Sequence, residues 1–320
     1  MDLKNKKEYI DKIKSLACEK NAVIFAHYYT RPEIQEIADF IGDSLALAQQ
    51  ATRVQADILV MCGVHFMGET MKILCPDNKV LIPDMNAGCS LADSCRAEDL
   101  KQFINHQSSI INHKPIVVSY VNTSAEVKAL TDIVVTSSNA KKIVDQLPKD
   151  AKIIFGPDHN LGSYINSVTG RQMILWNGAC HVHSRFSLEA LLQLKKENPG
   201  VEVLAHPECK APILAQSDVI GSTKALLEHT IQSPAKRFII ATESGILFEM
   251  QRACLDKEFI PVPPEVTEGI GCSCNECEYM RMNTLEKVYN CLLNESPEMI
   301  VPKDTAEKAV SSIQRMLSMS

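Results

Sequence analysis

Residues 23–44, VIFAHYYTRPEIQEIADFIGDS, begin as an apolar run, pass through a polar and aromatic tip at His27 to Thr30, and reach Asp39 twelve residues after His27. The plan returns twice. Residues 116–138, IVVSYVNTSAEVKALTDIVVTSS, place Asp132 twelve after Tyr120, and residues 201–223, VEVLAHPECKAPILAQSDVIGST, place Asp218 twelve after His206. Aliphatic runs without polar alternation are what a strand buried on both faces requires. Each copy then offers a small hydroxyl before a helical pattern: Ser44, Ser137 and the pair Ser222/Thr223.

Further strands follow in the same order, DILVMCG (57–63), KIIFGPD (152–158) and RFIIATE (237–243), then KVLIPD (79–84), QMILW (172–176) and EFIPV (258–262). Strands alternating with helices predict an α/β chain of three homologous α/β/α units, with parallel sheets around a pseudo-threefold axis. The units are read as 1–88, 89–179 and 180–264, with 265–320 holding a cysteine-bearing segment and C-terminal helices. Ligand chemistry in such sheets sits beyond the carboxyl ends of the strands. The tips His27–Tyr29, Tyr120–Val121–Asn122 and His206–Pro207–Glu208 are therefore expected to meet in one cleft. The hydroxyls at helix starts favour anions there, although any one of them alone reads as an ordinary cap.

Composition narrows the class of function. The 320 residues are 45% apolar, with 33 Lys+Arg against 39 Asp+Glu and no long run of one sign, which argues against nucleic acid or an anionic membrane as partner. The first 21 residues pattern as a charged amphipathic helix, and no apolar run approaches a membrane span, so a soluble, cytoplasmic protein acting on a small molecule is expected.

Twelve cysteines then need a reason, because a reducing cytosol does not maintain disulfides. Cys18, Cys62, Cys75, Cys254 and Cys291 stand among aliphatic residues and read as core. Cys95 reads as a packed or exposed thiol at the start of a helix, and for Cys209, which adjoins a tip, a contact with the site stays open. Cys89 in NAGC and Cys180 in NGAC hold matching places after the last strand of the first two copies, and the third copy reaches GCSCNEC (271–277). Cys277 is favoured there because it opens a helix-like run, CEYMRMNTLEKV, while Cys272 and Cys274 remain as bystanders or a redox pair. Three converging thiolates without a fourth suggest a [4Fe-4S] cluster with one open iron. Zinc on these cysteines with His183 is the rival ligation, and an iron–sulfur or thiol sensor or a zinc hydrolase acting on a phosphorylated metabolite are the rival functions. Isolated histidines (His65, His106, His113, His159, His229) read as structural, and His181 is ambiguous.

Together AHYYTRPEIQEIADFIGDS, SYVNTSAEVKALTDIVVTSSNA, WNGACHVHSRF, AHPEC and CEYMRMNTLEKV resemble the quinolinate synthase family, iron–sulfur enzymes of de novo NAD biosynthesis. The resemblance runs from about residue 20 to the final helix. It implies one central site, condensing iminoaspartate with dihydroxyacetone phosphate to quinolinate, phosphate and water. It puts the cluster on Cys89, Cys180 and Cys277, agreeing with the repeat-matched trio. It puts substrate contacts on His27, Tyr29, Ser44, Tyr120, Asn122, Ser137, His183, His206, Glu208 and Thr223, with Ser222 adjoining. Tyr29 and Glu208 are the expected acid/base pair, with His27 and His183 orienting substrate. A transient contact with L-aspartate oxidase is left open. The spacing C-x-C-x-x-C at 272–277 departs from the C-x-x-C-x-x-C of some members.

Overall fold

The computed structural model describes residues 3–265 and 275–320, without the side chains of 3 and 4. Cys272 and Cys274 lie outside the described residues.

The first unit runs α1 (Leu3–Glu19), β1 (Ala22–His27), α2 (Pro32–Ile37), β2 (Phe40–Gly42), α3 (Ser44–Ala51), β3 (Ile58–Cys62), α4 (His65–Leu74), β4 (Lys79–Leu81). After α5 (Ser90–Asp93), the second runs α6 (Ala97–Ile111), β5 (Ile116–Tyr120), α7 (Ala125–Lys128), β6 (Ile133–Val135), α8 (Ala140–Gln146), β7 (Ile153–Gly156), α9 (His159–Thr169), β8 (Ile174–Leu175). The third runs α10 (Leu188–Glu197), β9 (Glu202–Ala205), α11 (Ala211–Leu214), β10 (Val219–Ile220), α12 (Thr223–Gln232), β11 (Arg237–Ala241), α13 (Ile246–Ala253), β12 (Glu258–Pro261). Then follow α14 (Leu285–Asn294) and α15 (Lys303–Met319). Each unit forms a four-stranded, all-parallel sheet of one order: β2-β1-β3-β4, β6-β5-β7-β8 and β10-β9-β11-β12. The expected three α/β/α units are what the chain builds.

The aspartates at the fixed interval have a structural job. Asp39 Oδ2 accepts from Ile24 N, Asp132 Oδ2 from Val117 N and Asp218 Oδ2 from Val203 N, all at 2.8 Å. Each aspartate's own N–H returns to the carbonyl of the same residue at 2.8–2.9 Å. One carboxylate thus clasps the start of each central strand, three residues before its tip, and fixes where that tip emerges.

Burial follows the layers. Ile24, Val60 and Leu81 on one face of the first sheet pack under α1 and α14 through Ile13, Val288 and Leu292. The opposite face joins the large core shared by all three units. The C-terminal α15 lies on α7 and β6 and reaches α4, tying the second unit to the first. Cys62, Cys75, Cys254 and Cys291 are buried as expected, but Cys18 is exposed because α1 turns Ile13, not Cys18, into the core. Among the described residues no helix is long and apolar enough to cross a membrane.

Candidate functional site

The carboxyl ends of the three sheets meet at one cavity of about 720 Å³, its mouth included, lined from all three units. His27, Tyr29 and Ser44 reach it from the first unit, Tyr120, Val121, Asn122 and Ser137 from the second. His206, Glu208 and Thr223 reach it from the third. His183, Cys89, Cys180 and Cys277 complete the expected set. Pro207 and Ser222 do not line it. The Ser222 hydroxyl is used at the start of α12, where it accepts from Ala225 N at 3.3 Å.

Two expectations about helix starts shift. Ser44 and Thr223 are first helical residues, but Ser137 precedes α8 by three, because Asn139 Oδ1 accepts from Thr136 N at 2.6 Å and forms a turn before Ala140. Cys277 does not open a long helix either. It leads into a 3-10 turn at Met280–Met282, and α14 starts only at Leu285.

The cysteines are equivalent by backbone, not only by motif. His65 N donates to Ala87 O, His159 N to Gly178 O and Ser244 N to Asn275 O, at 2.7, 2.8 and 3.1 Å. Donors stand three residues past the last residue of β3, β7 and β11; acceptors stand two before Cys89, Cys180 and Cys277. A helix follows each cysteine at eight residues: α6, α10 and α14. The main-chain N–H groups of the turn that follows each sulfur favour its thiolate: Leu91 and Ala92 for Cys89, His183 for Cys180, Tyr279 and Met280 for Cys277. Burial pushes the three thiols up, Cys89 to about 11 and Cys277 to about 12, while those donors pull them down. Such turns favour thiolates, the metal-binding form of cysteine. Cys209 is instead buried with its thiol donating to Ala241 O at 3.3 Å, and Cys95 is buried in a small satellite core.

At the tips, Tyr29 N donates to His27 Nδ1 at 3.2 Å and Glu208 N to His206 Nδ1 at 3.4 Å. An Nδ1 that accepts leaves the proton on Nε2, so both imidazoles are neutral donors toward the cavity. His206 Nε2 lies 3.2 Å from Ser137 Oγ. Burial lowers His27 to about 4 and His206 to about 3, against nearby carboxylates.

Glu208 is the buried charge of the site. Tyr120 Oη donates to its Oε1 at 2.5 Å, and His183 Nδ1 lies 3.0 Å from its Oε2. Burial alone would raise this carboxyl, but the imidazoles of His183 and His206 and the two hydrogen bonds hold it well below the ordinary carboxylate range. Burial drives the Tyr29 and Tyr120 phenols well above theirs, so both keep their protons.

Sequence reading missed Thr242, Asp158 and Glu243. Thr242 Oγ1 lies 3.0 Å from both Tyr29 Oη and His183 Nε2, and Thr223 Oγ1 lies 2.6 Å from Tyr29 Oη. Asp158 and Glu243 lie fully buried beside Cys180 and Cys277. Burial and the Glu208 charge push Asp158 up against three N–H donors; burial pushes Glu243 up to about 8 against the N–H groups of Cys277 and Gly245 and against Arg281. All three follow the last residues of β7 or β11, the strand ends where ligand chemistry gathers, and that position was their signal. His181, ambiguous by sequence, lines the cavity with Nδ1 2.5 Å from Ser90 Oγ.

Comparison with known proteins places this site in a family. Residues 11–318 match the family model described as Quinolinate synthetase A protein. The quinolinate synthase of Microcystis aeruginosa is 53% identical over 308 residues, covering 96% of this chain and 94% of that protein. Those of a Synechococcus species and of Chloroherpeton thalassium are 52% and 50% identical, covering 96% and 98% of this chain and 94% and 95% of theirs.

Proposed function

The chain belongs to the quinolinate synthase family, and on that premise we propose that it condenses iminoaspartate with dihydroxyacetone phosphate to quinolinate, phosphate and two waters. In this reading Cys89, Cys180 and Cys277 hold a [4Fe-4S] cluster. The observation that carries it is their backbone equivalence around the cavity into which all three tips project. Main-chain N–H groups near each sulfur favour its thiolate, the form that such a group binds.

The spacing of the sulfurs argues against a single ion held by all three. Among the described residues, the ligand atoms gathered within 4.8 Å of one another belong to Cys180, His183 and Glu208, not to the three cysteines. A tetrahedral zinc with bonds of about 2.3 Å would hold its sulfurs only about 3.8 Å apart. When bound, the cluster would supply an open, Lewis-acid iron facing the substrate.

The chain's own residues account for anchoring and proton transfer. The Nε2–H groups of His27 and His206, the hydroxyls of Ser44, Ser137 and Thr223, and the Asn122 amide are donors for two carboxylates and a phosphate. Each water that leaves needs a proton delivered to a hydroxyl and one removed from a neighbouring carbon. Tyr29, protonated and braced by Thr223 and Thr242, suits the first task. Ionised Glu208, held in place by Tyr120 and His183, suits the second.

One observation favours a second reading, a single zinc on Cys180, His183 and Glu208. His183 Nδ1 lies 3.3 Å from Cys180 Sγ and 3.0 Å from Glu208 Oε2, so the contacts of one imidazole nitrogen already account for their closeness. Anaerobic purification with iron, sulfide and zinc measured on the sample assayed for quinolinate separates the two. About four irons and four sulfides per chain with turnover are expected; zinc with turnover and no sulfide would replace the cluster reading.

A further inference from the structure

Cys180 and Cys277 enter the cavity with their main-chain N–H groups tied to buried carboxylates, and the two ties share one construction. Asp158 Oδ2 accepts from Cys180 N at 3.1 Å while Oδ1 accepts from Leu161 N at 2.7 Å. Glu243 Oε1 accepts from Cys277 N at 2.9 Å while Oε2 accepts from Gly245 N at 2.6 Å. Each carboxylate bridges the start of its own helix, α9 or α13, to the segment that carries the cysteine. Both stand two residues past the end of the third strand of their sheet, and the first unit has Val64 at that place, which offers no acceptor side chain.

A helix start needs only one oxygen: Ser124 and Ser187 cap α7 and α10 with a single hydroxyl. A second acceptor is useful only for the second donor. A carboxyl group offers an oxygen to each of the two N–H groups, whereas an amide turns an NH2 toward one of them and a hydroxyl has one oxygen. The same requirement arises in two units from residues of different length, one Asp and one Glu, which a capping role does not explain.

We infer that Asp158 and Glu243 are positioning residues that hold the Cys180 and Cys277 segments in register for a shared iron–sulfur group, and that Cys89 is held without such a tie. The inference rests on the cluster reading above. The ties act on ligands through the main chain, as groups beyond the ligand shell do in metal sites.

The test compares wild type, Asp158→Ser, Glu243→Gln and Ser124→Ala, all purified and reconstituted anaerobically. Serine at 158 keeps one oxygen for Leu161 N–H and leaves Cys180 N–H without its acceptor, so metal-free Asp158→Ser should fold and unfold cooperatively, melting below wild type by no more than the loss of one N–H acceptor explains. Asp158→Ser and Glu243→Gln should hold less iron and sulfide, lose visible absorbance in proportion, and release iron to a chelator about tenfold faster or more. Ser124→Ala, which loses a cap alone, should match wild type. Wild-type iron content and chelator rate in both Asp158→Ser and Glu243→Gln would overturn the inference. Should wild type itself take up no iron and sulfide, the cluster reading fails instead. Alkylation of Cys180 and Cys277 in metal-free protein then decides the ties: faster reaction in the variants supports them, and equal rates refute them.

Discussion

At one end of each repeat, after its last strand, the chain contributes the same residue to the cavity from the same backbone place, Cys89, Cys180 and Cys277; at the other, after its first strand, it contributes different residues from equally matched places. The first tip position is His27, Tyr120 and His206, and the third is Tyr29, Asn122 and Glu208. The fourth keeps a turn-forming role: the Thr30 and Thr123 hydroxyls donate to the carbonyls of His27 and Tyr120, and Cys209 N donates to that of His206. The scaffold was copied with its strand clasps and docking bonds, while the chemistry at the tips diverged. A ligand with near-threefold symmetry suits the uniform end, and an unsymmetrical small molecule suits the varied end.

The largest expected effect breaks the uniform end. Cys89→Ala, Cys180→Ala and Cys277→Ala should each lose the iron, sulfide and visible absorbance of anaerobically prepared protein, and turnover with them. Cys95→Ala and Cys209→Ala should keep the full complement, because those sulfurs are buried away from the cavity. Full iron and sulfide in any of the first three would end the equivalence.

The next effect separates the ends. Glu208→Gln should leave the cluster spectrum intact and lower kcat by about 10²–10⁴, since the amide neither takes a proton nor accepts on both sides from Tyr120 and His183. Tyr29→Phe should do the same, its ring packing preserved and its proton gone. Turnover at the wild-type rate in Glu208→Gln would show that the varied end binds without taking part in proton transfer.

The contrast between the ends also explains what could be read from the sequence. Strand order, the triplication and the tips were legible because an all-parallel sheet leaves unbroken apolar runs and because the Asp39, Asp132 and Asp218 clasps fix an interval. Cys277 was legible through the run that follows it, although the feature that matches it to Cys89 and Cys180 is the eight-residue step to α14 and not a helix starting at the cysteine. Thr242, Asp158 and Glu243 were not legible as functional residues. Their partners are 59, 22 and 34 positions away, and only the fold brings His183, Cys180 and Cys277 to them. Ser137 looked like a helix start because a hydroxyl before a helical pattern usually is one; the Thr136–Asn139 turn displaces α8 by three residues and leaves the Ser137 hydroxyl facing the His206 imidazole.

The smallest effect tests whether the interval belongs to the scaffold alone. Asp39→Ala, Asp132→Ala and Asp218→Ala each remove the acceptor of one strand-start N–H and leave the backbone half of the clasp in place. Each should cost about 1–2 kcal/mol in denaturant unfolding, and the matched geometry implies similar losses in all three units. Asp→Asn should cost less, because Oδ1 of the amide still accepts. Kinetic constants and iron content of the folded variants should equal those of wild type, since none of the three carboxylates lines the cavity. A variant that kept its stability but lost turnover would move that aspartate from the scaffold to the chemistry, and with it the reason the twelve-residue interval recurs.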